Sequence, residues 1–362
     1  MPALIRSIKA EAYTIPTDKP EADGTLAWNS TTIVIVHVEA AGKTGLGYTY
    51  ASSAATHLIN DMLAAALKGQ NVFDIPACLK KMQYIVRNLG LNGQVSAAIA
   101  AIDTALWDLK ARLLGVSLTD LMGASVVSVP VYGSGGFTTY SDNEIESQIS
   151  AWRGHGITMA KIKIGTHPDQ DLARVASARQ ALGGAGRLFV DANGAYSVKQ
   201  ALAFAEAFDN LGVEWFEEPV TSDDLTGLHQ IRAQGPAGMD ITAGEYAFDI
   251  FTVQRMLAAE AVDVLQLDAT RCQGYSGFMQ AASLALAANI PLSSHCAPAL
   301  HLPVCCHVPH MLHMEYFHDH VRIENMLFDG VAQIKDGRLS PDRASPGNGL
   351  AFKKIDVERY AA

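Results

Sequence analysis

The chain has 362 residues, 49% of them hydrophobic and 18% charged, with a net charge of −10. That length fits one large α/β domain plus a smaller one, and the composition leaves no disordered share. The charge argues against nucleic acid or an anionic membrane as partner, because there is no basic surplus to neutralise phosphates, whereas an acidic protein still binds an acidic small molecule where a local cation inverts the field.

Residues 1–125 open with strand-like alternation in IRSIKAEAYTIP and TTIVIVHVEA, followed by a glycine turn at GKTGLGY. Helical spacing follows in THLINDMLAAALKG and in VSAAIAAIDTALWDLKARLLG, which ends at Gly115 and reads as a helix buried on most sides. This region is expected to form a small α+β unit.

Residues 126–325 repeat one pattern, a short apolar run ending in a polar residue and then a helical segment. The runs are SVPVYGS, MAKIKIG, RLFVDANG, VEWFEEP, DITAGEY, DVLQLDAT, IPLSSHC and LHMEYFH. The chemical residues at seven of these ends are Lys163, Asp191, Glu217, Glu245, Asp268, His295 and Glu315, spaced by 28, 26, 28, 23, 27 and 20 positions. Near-even βα spacing over eight strands predicts a parallel (β/α) barrel rather than an open sheet. Residues 326–362 are rich in Gly and Pro, with one strand-like piece near LAFKKIDVERY, and are expected to return to the first region.

Five cysteines (Cys78, Cys272, Cys296, Cys305 and Cys306) show no CxxC spacing, which predicts reduced thiols and a cytoplasmic protein. MPALIRSIKAEAYTIP has no long apolar core, so no signal peptide is expected, and no run of about 18 apolar residues predicts a membrane span.

The strand ends carry the chemistry. In such a barrel they converge on one mouth. Asp191, Glu217 and Glu245, at the ends of strands three, four and five, would repel one another unless a cation sat between them. A hard divalent ion suits three carboxylates, and Mg²⁺ keeps positions open for water and substrate. In WFEEPV, strand alternation sends Glu217 to the metal and Glu218 the other way, to a structural partner with no catalytic role, while Pro219 fixes the turn. Lys161 and Lys163 share a strand face, and two ammonium groups close together near a metal lower each other's pKa, which makes a lysine a usable base. Asp268 and His295, on strands six and seven, can hydrogen-bond, so that the carboxylate fixes the imidazole tautomer and makes a second base. Glu315 on strand eight, if protonated, donates a hydrogen bond to a developing enolate oxygen. Together these groups would remove the proton α to a bound carboxylate and stabilise the resulting enediolate.

AIAAIDTALWDLKAR, AKIKIG, FVDANGAYS, WFEEPV, TAGEY and SSHCAP, in that order, resemble the enolase superfamily and, within it, the mandelate racemase subgroup of the mandelate racemase/muconate lactonizing enzyme family. The resemblance implies a modified (β/α)7β TIM-like barrel with an N-terminal α+β capping domain, and a homo-oligomer. It implies Lys163 as the strand-two base with Lys161 as its carboxylate-facing neighbour. It also implies Asp191, Glu217 and Glu245 as metal ligands, Asp268 with His295 as the dyad, and Glu315 as the electrophilic acid. Muconate-cycloisomerase and dipeptide-epimerase relatives place a second lysine at strand six, where this chain has Asp268. The chain departs from the pattern at Arg271-Cys272-Gln273-Gly274, where relatives run to a Gly-Gly pair, and at Tyr246, where they often have a small or amide residue.

Most of the subgroup resembles acid-sugar dehydratases. The expected reaction is therefore dehydration of an aldonate or aldarate to a 2-keto-3-deoxy acid. Racemisation or epimerisation of a 2-hydroxy acid, or cycloisomerisation of an aldarolactone, stands as the alternative. The loop PTDKPEADGTLAWNS is expected to close over the mouth, offering Lys19 and Trp28 to the substrate, with Trp28 either a lid residue or a packed one. Tyr132 and Ser134 at the end of strand one are expected to meet a substrate hydroxyl, and Asn193 is assigned to the substrate with them.

Overall fold

The computed structural model describes residues 2–362. Strands β1 (Ile5–Ala22), β2 (Ala27–Ala40) and β3 (Lys43–Tyr50) form an antiparallel sheet in that order. Valine and isoleucine dominate the buried positions of β2, where branched side chains pack well on a pleated surface. The helix Gln94–Leu114 lies directly on β3, which is why β3 carries Gly45 and Gly47. A Cβ at either would sit 2.3 Å from a backbone oxygen of that helix, of Ala105 and Ala101 respectively. The helix ends, as expected, at a left-handed Gly115, with φ +73°.

The lid segment corrects the sequence reading. Most of PTDKPEADGTLAWNS is strand: β1 runs to Ala22 and β2 starts at Ala27, leaving a four-residue tip. Alternation is hidden there by Pro16 and by the register shift between Pro16 and Glu21.

The eight apolar runs become eight parallel strands. They are β4 (Val129–Gly135), β5 (Met159–Lys163), β6 (Arg187–Asp191), β7 (Val213–Glu217), β8 (Asp240–Ala243), β9 (Val264–Leu267), β10 (Leu292–Ser294) and β11 (Met311–Phe317). Each pairs with the next, and β11 pairs with β4 to close the barrel, Glu315 opposite Tyr132. A helix follows each strand, the geometry that lets parallel strands be joined with both faces covered. Tyr132, Phe189, Trp215 and Val264 fill the barrel interior.

The C-terminal segment returns to the cap. Ala362 N–H donates to the Ala12 carbonyl at 3.0 Å, and the Phe352 ring lies 5.5 Å from Tyr13. No helix among the described residues is long and apolar enough to cross a membrane, and all five cysteines are buried and free.

Candidate active site

Parallel register sets the first half of the ring. Lys163 lies opposite Asp191, and Asp191 opposite Glu217, so three consecutive strands end on charged residues at one level. Lys161, two positions before Lys163, shares its face, and both amines are buried. Lys161 Nζ lies 2.5 Å from Glu217 Oε1, 2.8 Å from Glu315 Oε1 and 3.3 Å from Asp191 Oδ2. Lys163 Nζ lies 2.5 Å from Asp191 Oδ2 and donates to Asn193 Oδ1 at 3.1 Å.

Asp191, Glu217 and Glu245 each bring a carboxylate oxygen within 4.8 Å of the other two. All three are buried, and Glu245 Oε2 has no hydrogen-bond partner. An all-oxygen, anionic set with a bare buried oxygen fits a hard divalent cation. Burial and the Asp191 charge push the Glu217 carboxyl well above the usual range, as expected of acids crowded together with only two ammonium groups to offset them.

Without a cation in the cluster, the carboxylates decide the state of the lysines. Burial works to lower both amines, but the facing carboxylates outweigh it, Glu217 and then Glu315 for Lys161, and Asp191 for Lys163, so both are pushed up. The mutual repulsion of the two ammonium groups is the smaller effect at these distances. A cation that engaged Asp191 and Glu217 would withdraw that stabilising charge and bring the amines back down.

Glu315 is expected to donate a hydrogen bond only if protonated. It accepts from Ser134 Oγ at 2.6 Å and from the Cys296 N–H at 2.7 Å, and it faces the Lys161 ammonium. Burial works to raise its pKa, and Lys161 overrides it, holding the carboxyl below its usual range. Without a cation in the cluster, these contacts favour the ionised, accepting form of Glu315.

Glu218 corrects one expectation. Its backbone sits at φ +38°, so the chain has left the strand and alternation no longer decides where the side chain points. Among the described residues no structural partner receives it. Oε1 is buried without a hydrogen bond, and burial together with Glu245 and Asp191 holds its pKa well above the ordinary value. Glu218 and Asn193 line a cleft of about 520 Å³, which Thr25 and Asn92 bound on the cap side. The hairpin tip reaches this mouth: a Cβ on Gly24 would lie 2.2 Å from the Ala192 carbonyl.

On the opposite side, His295 Nδ1 lies 2.8 Å from Asp268 Oδ2, and Asp268 Oδ1 accepts from the Thr270 N–H at 2.7 Å. Burial works to raise the Asp268 carboxyl, but the hydrogen bond and charge of His295 hold it below its usual range. A carboxylate acceptor places the ring proton on Nδ1 and leaves the lone pair on Nε2, which Cys296 Sγ approaches to 3.2 Å. Nε2 lies 3.3 Å from Glu245 Oε2.

The remaining expected residues are placed differently. Tyr132 is fully buried inside the barrel, its hydroxyl accepting from Gln266 Nε2 at 2.9 Å, because its place in the strand points it into the core rather than at a substrate. Ser134 is equally buried and bound to Glu315. Trp28 is packed, its Nε1–H donating to Glu21 Oε2 at 2.8 Å and its ring edge-on to Phe137. Lys19 is exposed and paired with Glu144. Asn193, at φ +46°, remains beside Lys163.

Two residues join the site that the sequence reading did not assign to it. Gln266 Nε2 donates to Glu217 Oε2 at 3.1 Å; it stands two positions before Asp268, so the same-face rule that paired Lys161 with Lys163 could have found it. Arg271 Nη1 lies 3.0 Å from Glu245 Oε1, and its Nε lies 3.6 Å from Asp268 Oδ2. Its departure from the family pattern was visible, but not its direction.

Two family models match the chain: "Mandelate racemase / muconate lactonizing enzyme, N-terminal domain" over residues 11–123, and "Enolase C-terminal domain-like" over residues 144–356. The 3,6-anhydro-alpha-L-galactonate cycloisomerase of Streptomyces coelicolor is 30% identical, over 98% of this chain and 98% of that protein. The crystal structure of a mandelate racemase/muconate lactonizing enzyme-like protein from Rubrobacter xylanophilus superimposes with a TM-score of 0.97 at 44% identity, covering 99% of both chains. That of L-talarate dehydratase from Polaromonas sp. JS666, complexed with Mg and L-glucarate, gives a TM-score of 0.90 at 29% identity, covering 99% of this chain and 97% of that one.

Proposed function

The chain belongs to the mandelate racemase / muconate lactonizing enzyme family, and on that premise we propose that it is a Mg²⁺-dependent lyase that dehydrates a sugar acid, an aldonate or aldarate, to a 2-keto-3-deoxy acid. The observation that carries this reading is the opposition of two bases across the acid cluster. Lys163 stands at the end of β5, and the His295–Asp268 pair at the ends of β10 and β9.

Asp191, Glu217 and Glu245 would hold the cation, with the bare Oε2 of Glu245 available to it. When bound, Mg²⁺ supplies Lewis-acid stabilisation of the charge that develops on the substrate carboxylate. The chain's own groups do the rest. Lys161, held by Glu217 and Glu315, places a fixed positive charge where the enediolate forms. Lys163 or His295 Nε2 removes the α-proton. His295, protonated by that abstraction or, where Lys163 is the base, entering the cycle already protonated, then delivers a proton to the departing β-hydroxyl, so that H⁺ and OH⁻ leave as water and the enol product tautomerises to the keto acid. Asp268 steadies the imidazolium between these steps.

The likeness to a cycloisomerase supports a second reading, an isomerase that uses the same first step. If the opposite base returns the proton instead, the outcome is racemisation or epimerisation; closure or opening of an aldarolactone ring is the third outcome. A panel of aldonates, aldarates and their lactones in D₂O with Mg²⁺ separates these. The proposal expects a 2-keto acid without epimer. Inverted product with α-deuterium exchange supports the isomerase, and neither product nor exchange across the panel refutes both. We further read the chain as a cytoplasmic homo-oligomer with a cap over residues 1–125, a barrel over 126–325 and a returning segment over 326–362, supported by its free buried cysteines and its family membership.

A further inference from the structure

We propose that His295, Cys296 and Glu315 form a second metal site, selective for a borderline or soft divalent ion such as Zn²⁺, whose occupation switches the enzyme off. The three buried residues each offer a ligand atom within 4.8 Å of the other two. Cys296 Sγ lies 3.2 Å from His295 Nε2, and Nε2 lies 4.0 Å from Glu315 Oε2. A tetrahedral ion with bonds of roughly 2.0–2.3 Å requires ligand separations in this range, so little movement closes the site.

Three features build it. Asp268 on His295 Nδ1 makes the carboxylate–histidine arrangement that orients an imidazole toward a metal. Cys296 is held at φ +50°, with its N–H bonded to Glu315 at 2.7 Å, which fixes the thiol beside the ring. Glu245, whose Oε2 lies 3.3 Å from Nε2 and is kept for Mg²⁺, adds negative charge beside the site, and water takes the fourth position. The surrounding carboxylates disfavour a bare thiolate and favour a dication; binding forms the S–metal bond and releases the thiol proton to solvent.

The donor set separates the two sites. Three carboxylates suit Mg²⁺, while nitrogen, sulfur and oxygen together suit Zn²⁺ or Co²⁺. An ion at the second site engages the Nε2 lone pair that the proposed reaction needs, so Zn²⁺ inhibits without displacing Mg²⁺.

The test uses Co²⁺ titrated into the full chain held in excess Mg²⁺. We expect a thiolate-to-cobalt charge-transfer band that saturates at one equivalent, is absent in Cys296→Ala and persists in Cys305→Ala. This reading needs no substrate, so it stands or falls apart from the proposed reaction. Where turnover is found, Zn²⁺ inhibition at constant Mg²⁺ should weaken at least ~10-fold in Cys296→Ala. Absence of the band in the wild-type chain overturns the proposal, as does its survival in Cys296→Ala. If that variant fails to fold, Cys296→Ser replaces it, since a hydroxyl gives no thiolate band, and survival of the band there overturns the proposal equally.

Discussion

His295 Nδ1 lies 2.8 Å from Asp268 Oδ2, although the two residues are 27 positions apart and belong to the ends of different strands. The contact fixes which nitrogen faces the mouth. Replacing His295 with Asn removes the proton carrier and keeps a polar side chain of similar reach. We expect turnover to fall by at least ~10³-fold while Mg²⁺ affinity stays within a small factor, because general acid–base groups contribute on this scale. Steady-state kinetics with calorimetric metal titration measure both, and a fully active variant removes the dyad from the mechanism.

Glu245 offers the cluster an oxygen without a hydrogen bond among the described residues. In Glu245→Gln the third carboxylate charge is gone, and Mg²⁺ should bind more than ~10-fold more weakly, since even groups outside the ligand set change affinity on that scale. The thermal shift on adding Mg²⁺ should shrink accordingly. An unchanged shift would place the ion elsewhere.

Glu218 is a buried acid whose pKa stands well above its ordinary 4.5, raised by burial and by Glu245. The folded chain thus retains a proton that the unfolded chain has shed, and stability contributed at this residue falls as pH rises above the ordinary value. Glu218→Gln resembles the protonated form at every pH. Without metal, the variant should gain little over the parent near pH 5 and progressively more toward about pH 8. Equal gains in thermal midpoint at both ends would contradict the buried, repelled carboxylate.

Gly47 is where the cap sheet meets its helix, and an added Cβ would lie 2.3 Å from the Ala101 carbonyl. Backbone cannot yield as a flexible side chain does, so Gly47→Ala should destabilise the fold by about 1–3 kcal/mol, the usual cost of overpacking. A denaturation midpoint equal to that of the parent would show that β3 and the helix are further apart than described.

Periodicity along the chain was enough to locate the eight barrel strands and the acids and bases at their ends. Strand alternation is local and barrel closure brings all C-terminal ends to one mouth, so even spacing along a line became a ring in space. The same rule put Lys161 beside Lys163. It failed at Glu218, where a positive φ ends the alternation, and it left Trp28 open between lid and packing, which its partners Glu21 and Phe137 decided. It was silent on charge state. Whether Glu315 holds a proton, whether the lysines are raised or lowered, and where Arg271 points depend on distances between side chains from different strands. Those Coulombic terms are set by the folded geometry and have no signature in any single stretch of sequence.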